Sequence, residues 1–446
     1  MFNKVLIANR GEIALRVVRA LKELNVPSLM AYSEADAHTL AVLEADEAVK
    51  IGPAPSSQSY LSIPALIGAA VSRGADAIHP GYGFLAENAE FARQVANHGI
   101  TWIGPSPESI EMMGNKSMAR QTMQNAGVPT VPGSKGTIET LDDAVSFADA
   151  VGYPVLIKAS AGGGGRGMRE VMTPGDLEVA FSSARSEAQV AFGNSDVYLE
   201  KLVLRPRHIE FQVLADTHGN TIHLCERDCS VQRRHQKLIE EAPSPALTPE
   251  LRERMGQAAI KAMEATNYVN AGTVEFLLDE SNEFYFMEMN TRIQVEHPVT
   301  EMITLTDLIK EQVRIAAGEP ISFMDKVPFT PLGHSIEFRL NAEDFEKNFM
   351  PSPGLVTALQ WPGGPGVRID SHLYAGYAVP PNYDSLVAKL VVWGSTREEA
   401  LDRARRALSE VRIDGIKTTV GFHQKVLEID AFAKGEARTD FVERYL

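Results

Sequence analysis

Glu275 and Glu288 give the first chemical signal in the sequence. They lie in a predicted hairpin, Ala271 to Asn290, and a turn centred on Ser281 and Asn282 sets them opposite each other on adjoining antiparallel strands. Asn290, two residues beyond Glu288, projects from the same face because strand side chains alternate. Three hard oxygen donors then converge at one end of a hairpin whose other residues, Val274, Phe276, Leu277, Phe284 and Phe286, are apolar. Two carboxylates so placed repel unless a cation lies between them. Mg²⁺, which takes one or two carboxylates together with nucleotide phosphates, suits the set. The bland alternative, edge carboxylates facing water, fits that apolar company poorly.

Immediately downstream stand Arg292, Gln294, Glu296 and His297. Such a polar loop is either solvated or lines a site, and its closeness to the carboxylates favours the site. The run Ala161 to Gly167 carries five glycines after a strand at Tyr153 to Lys158, and amides without Cβ neighbours can surround phosphate oxygens. It contains G-x-G-x-x-G, but Met168 to Val171 continues as a strand instead of opening a helix, and no Gly-Lys-Ser/Thr ending follows. Neither a dinucleotide fold nor a P-loop fits. On its own a glycine hinge explains the run equally well. Arg233-Arg234-His235-Gln236-Lys237 is the densest basic cluster, and alone it reads as a solvated loop.

The elements that must position these residues follow from periodicity. Lys4 to Ala8 predicts a buried strand. Ala14, Val17, Val18, Leu21 and Leu24 then recur at helical spacing, with Arg16, Arg19, Lys22 and Glu23 opposite. Strands at Pro27 to Tyr32, Ala77 to His79 and Thr101 to Gly104, separated by helical stretches, predict a parallel sheet with helices on its faces. After a turn-rich break at 127–136 a small lid-like subdomain is expected. An α+β core follows, with strands at His208 to Asp216 and Asn220 to Asp228, a helix at Pro249 to Ala265, and the hairpin. Beyond a helix near Thr306 to Ala317 come strands near His334 to Leu340 and Leu386 to Trp393 and a helix at Arg397 to Val411.

With 44% hydrophobic and 23% charged residues in 446, the composition is that of a globular chain of about three domains. A net charge of −15 opposes a phosphate-backbone footprint, so no nucleic-acid partner is expected. No apolar run reaches membrane-spanning length, and the first one stops at Asn9-Arg10, short of a signal-peptide core. No membrane association and a cytoplasmic address are the expectations. Cys225 and Cys229, the two cysteines, predict small buried side chains and no disulfide scaffold.

Five stretches, in order along the chain, resemble the signatures of the biotin carboxylases of the ATP-grasp superfamily. They are Val5 to Ala14 (VLIANRGEIA), His79 to Asn88 (HPGYGFLAEN), the glycine run, Glu226 to Lys237 (ERDCSVQRRHQK) and Glu288 to His297 (EMNTRIQVEH). The resemblance implies an α/β and α+β fold: an N-terminal doubly wound parallel-sheet domain at 1–115, a central ATP-grasp domain at 116–320 with a mobile lid at about 131–203, and a C-terminal α+β domain at 330–446. It assigns phosphate binding to Lys116, Lys158, Gly164 and Gly165, and adenine reading to Glu200, Lys201, Leu202 and Val203. His208 and His235 become further nucleotide contacts, while Glu275, Glu288 and Asn290 become the Mg²⁺ (or Mn²⁺) ligands. Bicarbonate falls to Lys237, Arg292, Gln294 and Val295, the general base is Glu296, Arg339 stands beside the biotin ureido group, and Tyr82 is a further substrate-binding residue.

The implied reaction is ATP-dependent carboxylation of biotin by bicarbonate through carboxyphosphate, with Glu296 taking the bicarbonate proton. No Ala-Met-Lys-Met biotin-attachment sequence and no carboxyltransferase region occur in the chain. The implied partners are therefore a biotin carboxyl carrier protein and carboxyltransferase subunits, those of acetyl-CoA carboxylase being the commonest setting, and fatty acid biosynthesis is the implied pathway. The resemblance also implies a homodimer, for which Arg16, Arg19 and Glu23 on one helical face are either an interface or a solvated surface. Competing readings are another ATP-grasp ligase, which would not carry Arg-x-Gln-x-Glu-His beside Arg339, and a nucleotide-binding regulator without catalysis, which would lack one of these residues.

Overall fold

In the computed structural model residues 1–134, 136–159 and 168–446 are described. The N-terminal sheet consists of β1 (Val5–Ile7), β2 (Ser28–Ser33), β3 (Glu47–Gly52), β4 (Ala77–His79) and β5 (Thr101–Trp102), all parallel, in the order β3-β2-β1-β4-β5. Val5, Leu6 and Ile7 of the central strand are wholly buried, because helices cover both faces of the sheet. Helix α1 (Gly11–Glu23) follows β1 directly. The expectation that Arg16 shares an outward face with Arg19 and Glu23 is corrected. Arg16 is buried and donates to Glu301 Oε1 (3.0 Å) and Asp307 Oδ1 (2.7 Å) at the start of the helix Leu308–Ala316, which packs against α1 there, whereas Arg19, Lys22 and Glu23 stay exposed.

A small antiparallel sheet follows, formed by β6 (Val155–Ala159), β7 (Met168–Val171) and β8 (Val197–Lys201) in the order β7-β6-β8. Its alternate residues Val155, Ile157, Val171 and Leu199 pack under the helices Leu141–Val151 and Leu177–Phe192. The main sheet has eight antiparallel strands: β9 (Arg207–Ala215), β10 (Thr221–Arg233), β11 (Gln236–Ala242), β12 (Asn270–Leu278), β13 (Phe284–Asn290), β14 (His334–Asn341), β15 (Val367–Ser371) and β16 (Leu386–Gly394). Their order is β13-β12-β9-β10-β11-β14-β16-β15. Strand β14 pairs with β11, so one sheet carries both the hairpin at one end and Arg339 toward the other. The helix Pro249–Ala265 starts with Thr248 capping Leu251 N and Pro249 in its first turn. It presses Leu251, Met255, Ala259 and Met263 onto the apolar face of that sheet.

Two local details decide where the polar face points. The hairpin loop is longer than the turn centred on Ser281 and Asn282. Asp279 N donates to Glu283 O, and Leu278 pairs with Phe284, Leu277 with Tyr285, and Phe276 with Phe286. That register alone would set Glu275 opposite Met287. A bulge between Phe276 and Glu275 restores the pairing of Glu275 with Glu288 and leaves Met287 and Glu288 both open to solvent. In the β10–β11 hairpin Arg234 (φ 49°) and His235 (φ 66°) form a two-residue turn with both centres left-handed. The basic cluster is therefore a tight turn, and its last member, Lys237, lies on the strand.

Candidate active site

One rung across four strands organises the site. Glu288 pairs with Glu275, Glu275 with Glu210, and Glu210 with Arg227, so three carboxylates stand side by side and end on one guanidinium. Such a row is stable only with further cations, and the strands supply them. Arg227 is fully buried and donates to Glu210 Oε1 (2.5 Å), Gln212 Oε1 (2.8 Å), Thr300 Oγ1 (2.9 Å), Thr273 Oγ1 (3.1 Å) and Gln294 Oε1 (3.0 Å). Lys237 Nζ lies 2.5 Å from Glu210 Oε2, 2.8 Å from Glu275 Oε1 and 2.7 Å from Glu296 Oε1. His208 Nε2 is 3.0 Å from Glu275 Oε2.

Gln294 donates to Glu275 Oε1 (2.7 Å) while accepting from Arg227, and Asn290 donates to the same oxygen (2.9 Å). Of the trio expected from the hairpin, Asn290 meets Glu275 through this hydrogen bond and Glu288 is its partner in the strand ladder. Burial pushes the Glu275 carboxyl up, but Lys237 and His208 outweigh it and hold it well below the usual range. Glu288 has no such partner: partial desolvation and then the charge of Glu275 push its carboxyl up. A divalent cation shared by the two would relieve that repulsion.

Glu296 begins the helix His297–Thr304, which follows directly on the polar stretch and carries Pro298 in its first turn. Its carboxylate is gripped from two sides, by Lys237 at Oε1 and by Arg339 NH2 at Oε2 (2.9 Å). Burial raises this carboxyl, yet Lys237, Arg339 and Arg227 together hold it far below the ordinary glutamate value. Arg339 also donates through Nε to Glu240 Oε1 (2.6 Å). Arg292 is anchored at the mouth by Glu87 Oε2 (2.8 Å) and Asn290 Oδ1 (3.0 Å), and Glu87 Oε1 accepts from Thr291 N (3.0 Å). The carbonyl of Val295 accepts from Lys389 Nζ (2.9 Å), a fully buried lysine that also lies 3.1 Å from Glu12 Oε1, to which the Tyr82 hydroxyl donates.

The remaining expected residues are placed separately. Lys116 opens the helix Lys116–Asn125, exposed, on the Glu288 side. Lys158 on β6 is 2.5 Å from Glu200 Oε2 on β8, and Arg120 meets the other Glu200 oxygen at 3.1 Å. Lys201 turns away and donates to the carbonyls of Gly152 and Tyr153. Leu202 donates its amide to Pro154 O, and Val203 lies partly buried just past β8. His235 is exposed at its turn, apart from the cluster. Gly164 and Gly165 lie outside the described residues.

Glu210, Arg227, Glu240, Glu87 and Lys389 belong to the site without having been singled out from sequence. Glu87, Arg227 and the neighbouring Cys229 lie inside the quoted signatures. Glu210 could have been found as the residue two beyond His208 on the same strand face. Cys225 and Cys229 are buried free thiols, as expected.

Comparison with known proteins bears on the family and the fold. The family model for the biotin carboxylase N-terminal domain matches residues 1–110, that for the carbamoyl-phosphate synthase L chain ATP binding domain residues 115–324, and that for the biotin carboxylase C-terminal domain residues 337–444. The chain is 58% identical over 443 residues to the biotin carboxylase of a Nostoc species, covering 99% of both chains. It superposes on a biotin carboxylase β,γ-ATP complex from Campylobacter jejuni with a TM-score of 0.93 at 49% identity, covering 100% of this chain and 99% of that one. A further match is the biotin carboxylase domain dimer of the Hydrogenobacter thermophilus 2-oxoglutarate carboxylase with MgADP, ADP and bicarbonate, at a TM-score of 0.91 and 49% identity, covering 100% and 98%.

Proposed function

The chain belongs to the biotin carboxylase family, ATP-dependent ligases, and from that premise we propose which residues run the reaction and on what partner. ATP and bicarbonate react to carboxyphosphate and ADP; carboxyphosphate breaks down to CO₂ and phosphate, the phosphate takes the ureido proton, and the deprotonated nitrogen of biotin on a separate biotin carboxyl carrier protein adds the CO₂. The observation that carries this division of labour is the placement of Glu296 between Lys237 and Arg339, with Glu275 sharing the same lysine.

Lys237 and Arg292 bind the bicarbonate anion. As Lys237 turns to the substrate its hold on Glu296 loosens, the carboxylate becomes a stronger base, and it takes the bicarbonate proton. Lys116, Lys158 and the glycine run stabilise phosphoryl oxygens. Glu275, Glu288 and Asn290 would hold Mg²⁺ or Mn²⁺, which when bound supplies charge neutralisation at the nucleotide phosphates. Arg339 stabilises the enolate oxygen of the deprotonated ureido group, with Tyr82 behind it.

Acetyl-CoA is the acceptor we assign to the complete carboxylase, with its carboxyltransferase subunits as partners, a homodimeric state and a role in fatty acid biosynthesis in the cytoplasm. The match to a 2-oxoglutarate carboxylase favours a 2-oxo acid as the second reading. Among the described residues no helix is long and apolar enough to cross a membrane. The test is phosphate release from ATP with free biotin, with and without bicarbonate, alongside carboxybiotin formation. Bicarbonate-dependent formation of both products is expected, and phosphate release indifferent to bicarbonate would overturn the reading. Identifying the biotinylated carrier and the carboxyltransferase that copurify decides the acceptor.

A further inference from the structure

We propose that Glu337 and Glu240 share a single proton and act together as a positioning pair for Arg339, keeping its guanidinium charge available to the carboxyl acceptor. The inference rests on the reading of Arg339 as the group beside that acceptor. Glu240 on β11 and Glu337 on β14 are directly opposed in the ladder, and Arg339 lies two residues from Glu337 on the same face. Both glutamates are wholly buried. Neither oxygen of Glu337 meets a hydrogen-bond partner, and Glu240 Oε2 is equally unpartnered.

The groups facing this pair come from every packed element. Arg339 stands on β14, Lys389 on β16 opposite Arg339, Lys237 on β11, Glu296 in the loop above, and Tyr82 with Glu12 on the N-terminal side. Their cations are already engaged. Arg339 is divided between Glu240 and Glu296, Lys389 between Glu12 and the Val295 carbonyl, and Lys237 among Glu210, Glu275 and Glu296. No cation among the described residues is left for Glu337. Two opposed buried carboxyls beside a single shared guanidinium cannot both ionise without a large cost, so one proton stays with the pair. The physical chemistry of each group agrees: burial holds Glu337 well above the usual carboxylate range despite Lys389, and burial with the charge of Glu296 pushes Glu240 up to about 7 despite Arg339.

A singly protonated pair leaves Arg339 facing one carboxylate below and Glu296 above. Loss of that one proton adds a third anion, which draws the guanidinium into the sheet and away from the acceptor. Coupling of ATP cleavage to carboxyl transfer should therefore have an alkaline limit set by this pair.

The experiment measures carboxybiotin formed per phosphate released against pH for the full chain, with MgATP, bicarbonate and free biotin, in the wild type, Glu337→Gln and Glu240→Gln. Either amide leaves only one carboxyl able to ionise. The wild-type ratio is expected to fall by about tenfold per pH unit above its transition, and both variants should lose that transition whatever the height of their profiles. The infrared absorption of protonated carboxyls should be weaker in Glu337→Gln than in the wild type at neutral pH. A transition unchanged in whichever variants fold, or an infrared absorption that Glu337→Gln leaves intact, would overturn the proposal. A wild type that makes no carboxybiotin at any pH would instead refute the proposed function, and the infrared comparison would still decide the proton sharing.

Discussion

Arg339→Ser tests whether phosphoryl transfer and carboxyl transfer are served by different residues. The side chain makes two charge-assisted contacts, to Glu240 Oε1 at 2.6 Å and to Glu296 Oε2 at 2.9 Å, and serine reaches neither. For carboxyl transfer the loss is that of a fixed donor to a developing oxyanion, about 3 to 4 kcal/mol or roughly 10²- to 10³-fold in rate. ATP cleavage loses less. Glu296 keeps Lys237 at 2.7 Å, and release from Arg339 lets its proton affinity rise toward a useful base, so a fall of at most about tenfold, 1.4 kcal/mol, is expected there. The ratio of carboxybiotin to phosphate should then drop by about 10- to 10³-fold at saturating ATP and bicarbonate. Parallel falls with the ratio unchanged would refute the division, since they would place Arg339 in phosphoryl transfer or in folding. Thermal denaturation of the same protein separates these two outcomes.

Glu288→Ala should raise the Mg²⁺ concentration needed for half-maximal ATP turnover by about tenfold or more with the melting temperature little changed, because the residue is exposed; an unaltered Mg²⁺ requirement would remove it from the metal set. Glu296→Gln should retain nucleotide affinity and lose about 10²- to 10⁴-fold in bicarbonate-dependent ATP cleavage, measured by phosphate release, because an amide accepts no proton. Glu301 is expected to shape acid stability: burial raises its carboxyl, but Arg16 and Arg368 lower it further, to about 2 from an ordinary value of 4.5. A depressed folded value stabilises above the unfolded one and is lost as pH falls from about 4.5 to about 2, a contribution of about 3 kcal/mol. Urea titrations at successive pH values should show a shallower acid loss for Glu301→Gln than for the wild type.

Much of the site could be read from the sequence because its residues cluster locally. Glu275, Glu288, Asn290, Arg292, Gln294 and Glu296 all come from one hairpin and the segment after it, where strand alternation predicts a shared face. Even there the pairing of Glu275 with Glu288 arises differently from the way a symmetrical turn would produce it, since a longer loop and a bulge at Met287 offset each other by one residue. What stayed hidden are partners set by sheet order. Glu210 meets Glu275, and Arg339 meets Glu240, across strands whose adjacency no local pattern encodes. The same holds for Arg16, whose helical position predicts an outward face until the helix Leu308–Ala316 closes over it. The basic run around His235 shows the converse: its turn chemistry is local, yet only Lys237 of the five residues reaches the carboxylates.

Strand β14 is supplied from far along the chain, and it completes hydrogen bonding along β11 from Ile239 to Ala242. Cutting the polypeptide between Gly318 and Gly333 would therefore do more than detach a lobe. It would bare a row of amides and carbonyls beside Leu238 and Ile239, a template on which another chain could build. Fragments ending there should gather into aggregates, whereas co-expression with the missing C-terminal piece should restore a dispersed product.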